Sequence, residues 1–209
     1  MFELSLFGIP VRIDGTFLLL MGFYAYLMGG DPVSFVSIAI AIFLAILVHE
    51  AGHAVVAIAQ GRRDVSITLH GFGGLTHSTG TGTHARYLVL ALGGPAAGLM
   101  FGVAALALQM SGVPLPGSLP VLVGALVFLN FFWTAFNLLP IYPMDGGQAL
   151  GHFLAIWWPS KAWSWTFRVG VLGSGGLILW GLSIGSIFIP LFGVLFAVEN
   201  YRRLQSGGW

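Results

Sequence analysis

The chain has 209 residues, 57% of them hydrophobic and only 7% charged, with eight basic and seven acidic side chains for a formal net charge of +1. Its mean hydropathy is +0.92. An ordinary soluble domain carries about 25% charged residues, so this composition excludes a soluble globular domain, a disordered chain and a basic nucleic-acid binder. A polytopic membrane protein embedded in a lipid bilayer is the class that remains. There is no cysteine, which removes disulfides, thiolate metal ligands and cysteine nucleophiles from consideration. The 31 glycines suit close helix packing inside a membrane.

A helical span needs about 20 apolar residues. Residues 1–15 carry Glu3 and Asp14 and lack a basic start followed by an apolar run. They read as an interfacial segment and not as a cleavable signal peptide. A short first span is expected over 16–29. The turn signal Gly29-Gly30-Asp31-Pro32 follows it. A long second span runs over 33–60 and ends in the charged loop Gly61-Arg62-Arg63-Asp64. Val65-Ser66-Ile67-Thr68-Leu69 then alternates with period two and is interrupted by Gly71, Gly73 and Gly74, which predicts a small β-hairpin between spans two and three. The third span covers 86–110 and the fourth 121–139, the latter broken by Pro140 and Pro143. A further apolar piece occupies 148–158. Residues 168–199 are too long for one span and divide near 183–186.

Six spans would put all eight Lys and Arg residues (Arg12, Arg62, Arg63, Arg86, Lys161, Arg168, Arg202 and Arg203) on one side. The positive-inside rule then assigns both ends of the chain to the cytoplasm. Trp157, Trp158, Trp163, Trp165 and Trp209 fall in the same segments and read as an interfacial aromatic belt. The expected fold is therefore all-α, with about six transmembrane helices and one small membrane-associated hairpin. One domain, 1–209, is expected, in the cell membrane.

His49-Glu50-Ala51-Gly52-His53 lies inside the second apolar run. On a helix, residues four apart share a face one turn apart. Two neutral imidazoles so placed can hold Zn²⁺, with Glu50 alongside as a base for the metal's water. An ionisable residue at membrane depth costs several kcal/mol on most estimates, so a purposeless cluster is disfavoured. A catalytic zinc site usually has three protein ligands. The third is open among Glu3, Asp14, Asp31, Asp64, Asp145, Glu199, His70, His77, His84 and His152. Asp145 stands out, because Pro140, Pro143, Gly146 and Gly147 unwind the chain around it, and irregular backbone at a membrane lines an enclosed wet cavity. His70, His77 and His84 recur every seven residues in a polar Gly/Thr stretch and read as solvated loop histidines, not as a second metal site.

Taken together, HEAGH in the second span and Asn137-Leu138-Leu139-Pro140-Ile141-Tyr142-Pro143-Met144-Asp145-Gly146-Gly147 at the end of the fourth resemble the site-2 protease family of intramembrane zinc metalloproteases. That family pairs H-E-x-x-H with a downstream N-x-x-P-x-x-P-x-D-G. Met144 stands where Leu is commoner, a volume-conserving difference. The resemblance implies His49, His53 and Asp145 as ligands of one Zn²⁺, Glu50 as catalytic base, and Asn137 as a residue that orients the aspartate loop or contacts substrate. It covers a three-span core of about 33–150 and includes the small-residue run Gly93-Gly94-Pro95-Ala96-Ala97-Gly98. With no PDZ-like or CBS-like segment in the sequence, a minimal member is expected.

A helical peptide bond is closed within its own hydrogen-bond ladder. A substrate must therefore be unwound and held extended, which an exposed strand edge does by β-augmentation. Leu69, Gly71, Gly73 and Gly74 are the candidate residues for that edge. The expected activity is hydrolysis of a peptide bond within or beside the transmembrane segment of a single-span membrane protein, in regulated intramembrane proteolysis or in clearance of signal-peptide remnants. His53 lies seven residues before Gln60, about 10 Å inside the cytoplasmic end of its span, so the cut falls near that face. A zinc transporter or an inactive helix-binding scaffold are the rival readings. The G-x-S-G and G-x-G-D patterns of serine and aspartyl intramembrane proteases are not found.

Overall fold

The computed structural model describes residues 2–206; Trp209, assigned above to the aromatic belt, lies outside them. In chain order the elements are β1 (Phe2–Leu6), β2 (Ile9–Ile13), α1 (Gly15–Gly29), α2 (Pro32–Ala59), β3 (Arg63–His70), β4 (Gly73–Thr79), α3 (His84–Met110), α4 (Leu119–Asn137), α5 (Asp145–Trp157), α6 (Ala162–Ser183) and α7 (Phe188–Gln205). They form two compact units. The first takes the chain up to Thr81 together with Gly93–Ala135, and the second takes Gly82–Leu92 and the chain from Phe136 onward.

The segment 1–15, expected to be interfacial, contains a β-hairpin, so the fold is mostly helical, not all-α. Phe7 and Gly8 both have positive φ, 50° and 85°, the conformation that closes a two-residue hairpin. β2 alternates in burial, with Ile9, Val11 and Ile13 inside and Pro10 and Arg12 outside. β1 pairs antiparallel with β2, β2 parallel with β3, and β3 antiparallel with β4. The small hairpin expected between spans two and three is thus half of a four-stranded sheet, ordered β1-β2-β3-β4. Its inner face joins Ile9, Val11, Ile13, Ile67 and Leu69 to Phe17 of α1 and to Ile38, Ile42 and Ile46 of α2 in one buried cluster.

Two aspartates start the first two helices. Asp14 accepts from the Thr16 amide at 2.8 Å and from its hydroxyl at 2.6 Å, which caps α1. The Thr16 hydroxyl, and then its amide, hold the Asp14 carboxyl below its ordinary range. Asp31 accepts from the amides of Val33 and Ser34, with Pro32 preset for the first helical position.

Among the described residues three helices, α2, α3 and α4, are long and apolar enough to cross a membrane, which makes this a membrane protein. With 28 residues, α2 is about 42 Å long, more than a hydrocarbon core of about 30 Å. α1 is apolar but only 15 residues long. In the second unit, α6 and α7 pack on one another. The break between them is centred on Gly185, whose φ is +69°, in the stretch where the sequence divides.

Candidate active site

His49 and Glu50 are buried, at 2% and 5% exposure, in the interior of α2, while His53 one turn further on is partly buried. The Nε2 atoms of His49 and His53 face each other at 3.3 Å. Two nitrogens each about 2.0–2.1 Å from one tetrahedral Zn²⁺ lie about 3.3 Å apart, so the pair already has the spacing of two ligands on a shared ion.

The space around the pair depends on α3. A Cβ on Gly94 would fall against His53 Nε2 and within 2.7 Å of His49 Nε2. Only a residue without a side chain leaves room for the imidazole tips there. The Gly94 amide also lies 3.3 Å from His53 Nδ1, which presses that ring onto α3. Gly52 and Gly93 meet backbone to backbone: a Cβ on Gly52 would strike the Gly93 carbonyl and come within 2.6 Å of Ala97 Cβ. The glycines inside HEAGH and in the third span therefore serve one close helix crossing.

Glu50 is held from the other side. The Thr76 hydroxyl of β4 lies 2.7 Å from Glu50 Oε2 and 2.9 Å from the Glu50 carbonyl oxygen. Gly74 brings the β4 backbone against the same carboxylate, since a Cβ there would sit 2.6 Å from both Cδ and Oε1 of Glu50. β4 is also an outer strand of the sheet, with one side unpaired by any strand among the described residues.

The four candidates for the strand edge separate. Gly73 and Gly74 lie on β4. Gly73 has φ +124°, and a Cβ on it would come within 3.1 Å of the Trp133 ring. Gly71 sits in the turn and donates its amide to the Thr16 hydroxyl at 2.9 Å. Leu69 belongs to β3, which is paired on both sides, and it is fully buried. The Leu69 backbone therefore offers no free strand edge, because β2, with β1 beyond it, occupies the side left open in the expected hairpin.

Asp145 and Asn137 lie in the second unit. Asp145 opens α5 and is 8% exposed. A helix N-terminus favours a carboxylate, and a buried one needs hydrogen bonds or a cation. Gly146 and Gly147 let the preceding turn fold back on this helix: a Cβ on Gly146 would strike the carbonyls of Leu138 and Leu139, and one on Gly147 the Ile141 backbone. Ile141 and Met144 are buried with Leu177. Asn200 of α7, fully buried, donates to the Tyr142 carbonyl at 2.5 Å and to the Phe196 carbonyl at 2.8 Å, and the Arg203 guanidinium lies 4.4 Å from the centre of the Tyr142 ring. Replacing Asn200 with alanine strands a buried carbonyl, which costs about 1–3 kcal/mol. Thermal unfolding in detergent should show the corresponding drop.

Sequence reasoning missed Thr76 and Asn200. Asn200 carried a signal, being an amide at the end of an apolar run. Thr76 carried none beyond its place in a predicted hairpin.

A family model described as peptidase M50B-like matches residues 18–189, a stretch that contains both HEAGH and the Asp145 loop. The chain belongs to that family, the site-2 protease group its motifs resemble. It is 33% identical over 159 residues to a candidate zinc metalloprotease of Synechocystis sp., a match covering 70% of this chain and 42% of the relative. It is 35% identical over 119 residues to Rip3, a candidate zinc metalloprotease of Mycobacterium tuberculosis, covering 56% of this chain and 30% of the relative. A zinc metalloprotease of Methanocaldococcus jannaschii is 27% identical over 219 residues, covering 96% of this chain and 60% of the relative. The chain thus spans between 30% and 60% of the length of these curated relatives. The solved site-2 protease from Methanocaldococcus jannaschii has the same fold, with a TM-score of 0.66, 23% identity and coverage of 97% of this chain and 94% of that one. Two imidazoles and a carboxylate, His49, His53 and Asp145, are a donor set of the kind that holds a metal. Zinc fits both the relatives and the spacing of the imidazoles.

Proposed function

We propose that this chain is an intramembrane zinc metalloprotease that cuts a single-span membrane protein within or beside its transmembrane segment. The carrying observation is the Glu50 carboxylate, buried one residue from the imidazole pair and held at 2.7 Å by Thr76 of an outer strand. A base, a metal-spaced pair and an edge for an extended peptide then lie together in one unit. His49, His53 and Asp145 would hold the metal. In support, Asp145 is a buried carboxylate in the matched family's aspartate loop. When bound, zinc supplies Lewis-acid polarisation of the carbonyl and a water made acidic near neutral pH.

The remaining steps belong to the chain. Glu50 takes the proton of the attacking water and returns it to the leaving amine. The Thr76 hydroxyl restrains Oε2, so the carboxylate keeps one orientation through both transfers. The free side of β4, at Gly73 and Gly74, holds the unwound substrate extended, and Asn137 steadies the aspartate loop or meets the substrate. The catalytic core is 33–150 within a single protease domain. Removing the Thr76 hydroxyl (Thr76→Val) should lower kcat about 10- to 100-fold, the worth of a hydrogen bond to a charged group. Thr76→Ser should restore most of it. Equal losses in both variants would mean that Thr76 serves only to pack the strand.

Six spans with both ends cytoplasmic complete the proposal, in the cell membrane. The lack of native cysteine makes this simple to test. Cysteines introduced at Arg62 or Ser160 should be labelled only from the cytoplasm, and those at Ser111 or Ser118 only from outside. Labelling of the Arg62 and Ser111 positions from one side would overturn the arrangement.

The function itself is tested by reconstituting the purified chain with a single-span substrate in vesicles. Fragments should appear, vanish on zinc chelation and return on adding zinc. Protein that is metal-free after purification without chelators, and that zinc does not activate, would refute the proposal.

A further inference from the structure

A second pair of histidines faces across the other unit. His84 is the first residue of α3 and His152 lies in α5, 68 residues apart. Their Nδ1 atoms are 3.2 Å apart and their ring centres 5.5 Å apart. This is again the separation of about 3.3 Å that two nitrogens adopt on one tetrahedral zinc. His152 is fixed in place. The Tyr87 ring stacks on it at 4.9 Å and 13°, and Trp163 meets it edge-on at 5.2 Å and 84°. His84 is exposed, so an ion can enter from water and keep water in its remaining positions.

We infer that His84 and His152 form a second transition-metal site, taking Zn²⁺ or another imidazole-seeking divalent ion. Imidazole suits zinc, copper and nickel, and two such ligands with water complete a four-coordinate shell. The site is separate from the catalytic metal proposed above. His152 follows Asp145 by seven residues on one helix, about 10 Å along its axis, whereas paired catalytic metals sit about 3.5–4 Å apart. Its ligands belong to no part of the proposed peptidase machinery, so the site stands or falls independently of that reading.

The alternative is a proton shared between the two rings, and metal stoichiometry separates the two. The full-length chain in detergent is incubated with excess Zn²⁺, desalted through metal-free buffer and analysed for bound zinc. The wild type should retain about two ions per chain. His84→Ala, which alters an exposed side chain, should retain one and keep its peptide-cleaving activity. His152→Gln should behave the same way. A His49→Ala/His53→Ala double variant should also keep one ion, now bound only at the second pair. No zinc on the His49→Ala/His53→Ala double variant, or a zinc content that neither His84→Ala nor His152→Gln lowers, would overturn the inference. If His152→Gln does not fold, His84→Ala alone decides.

Discussion

Replacing Glu50 with glutamine is expected to leave the chain folded and zinc-loaded while lowering peptide cleavage between about 10²- and 10⁴-fold. Glutamine has nearly the same shape, and its amide oxygen can still accept from the Thr76 hydroxyl, now 2.7 Å from Oε2. What disappears is the ability to take and return a proton. Neither imidazole is touched, so zinc content should match the wild type in elemental analysis. The same variant separates the rival readings. A zinc transporter needs the ligands but has no use for a base beside them, so its flux would survive. A scaffold that only binds membrane helices would show no cleavage to lose. Because the inert variant still binds its substrate, mass spectrometry of what co-purifies with it identifies the natural target. Wild-type cleavage by the Glu50→Gln chain would remove Glu50 from the mechanism.

The parts of the molecule that are legible in the sequence are those written in local periodicity. The first four predicted spans begin within two residues of α1, α2, α3 and α4, because each is an apolar run bounded by turn or loop signals. HEAGH is legible for the same reason: a spacing of four on a helix fixes a shared face without knowledge of anything else. What escapes is set by pairing across the chain. The parallel contact of β2 with β3 joins Val11 to Ile67, and no local pattern announces that partnership, so residues 1–15 read as an interfacial segment without strands. Leu69 fails as an edge residue through that same omission. Thr76 against Glu50, Asn200 against the Tyr142 carbonyl and His84 against His152 are likewise contacts over 26, 58 and 68 residues. His84 in particular reads as a solvated loop residue, which its exposure supports and its partner does not.

One methyl group on Gly94 is expected to empty the metal site. An alanine Cβ would stand 2.6 Å from His53 Cδ2 and 2.7 Å from His49 Nε2, and nearer still to His53 Nε2, where real Cβ atoms are not found. The rings have little room to retreat, because their centres are already 5.0 Å apart, and Gly93 packs backbone against backbone on Gly52, so α3 cannot back away without losing that crossing. One imidazole must rotate out of register, and two ligands held at the spacing zinc requires become one. Losing a ligand should lower zinc retention at fixed free zinc by at least about tenfold, toward the 10- to 100-fold that even outer-shell partners are worth, and cleavage should fall with it. Intrinsic helix preference works in the opposite direction. Alanine favours a helix interior over glycine by about 0.8–1.0 kcal/mol, so the Gly94→Ala chain should not be lost through a weaker α3. Gly175→Ala in α6 gains the same preference and meets nothing within 4 Å, so it should keep both zinc and activity. The order of the losses is diagnostic as well. Glu50→Gln stops the reaction with zinc in place, whereas Gly94→Ala stops it by releasing zinc. A Gly94→Ala chain that holds zinc as tightly as the wild type would show that the ion is not bound through the Nε2 atoms that face this helix.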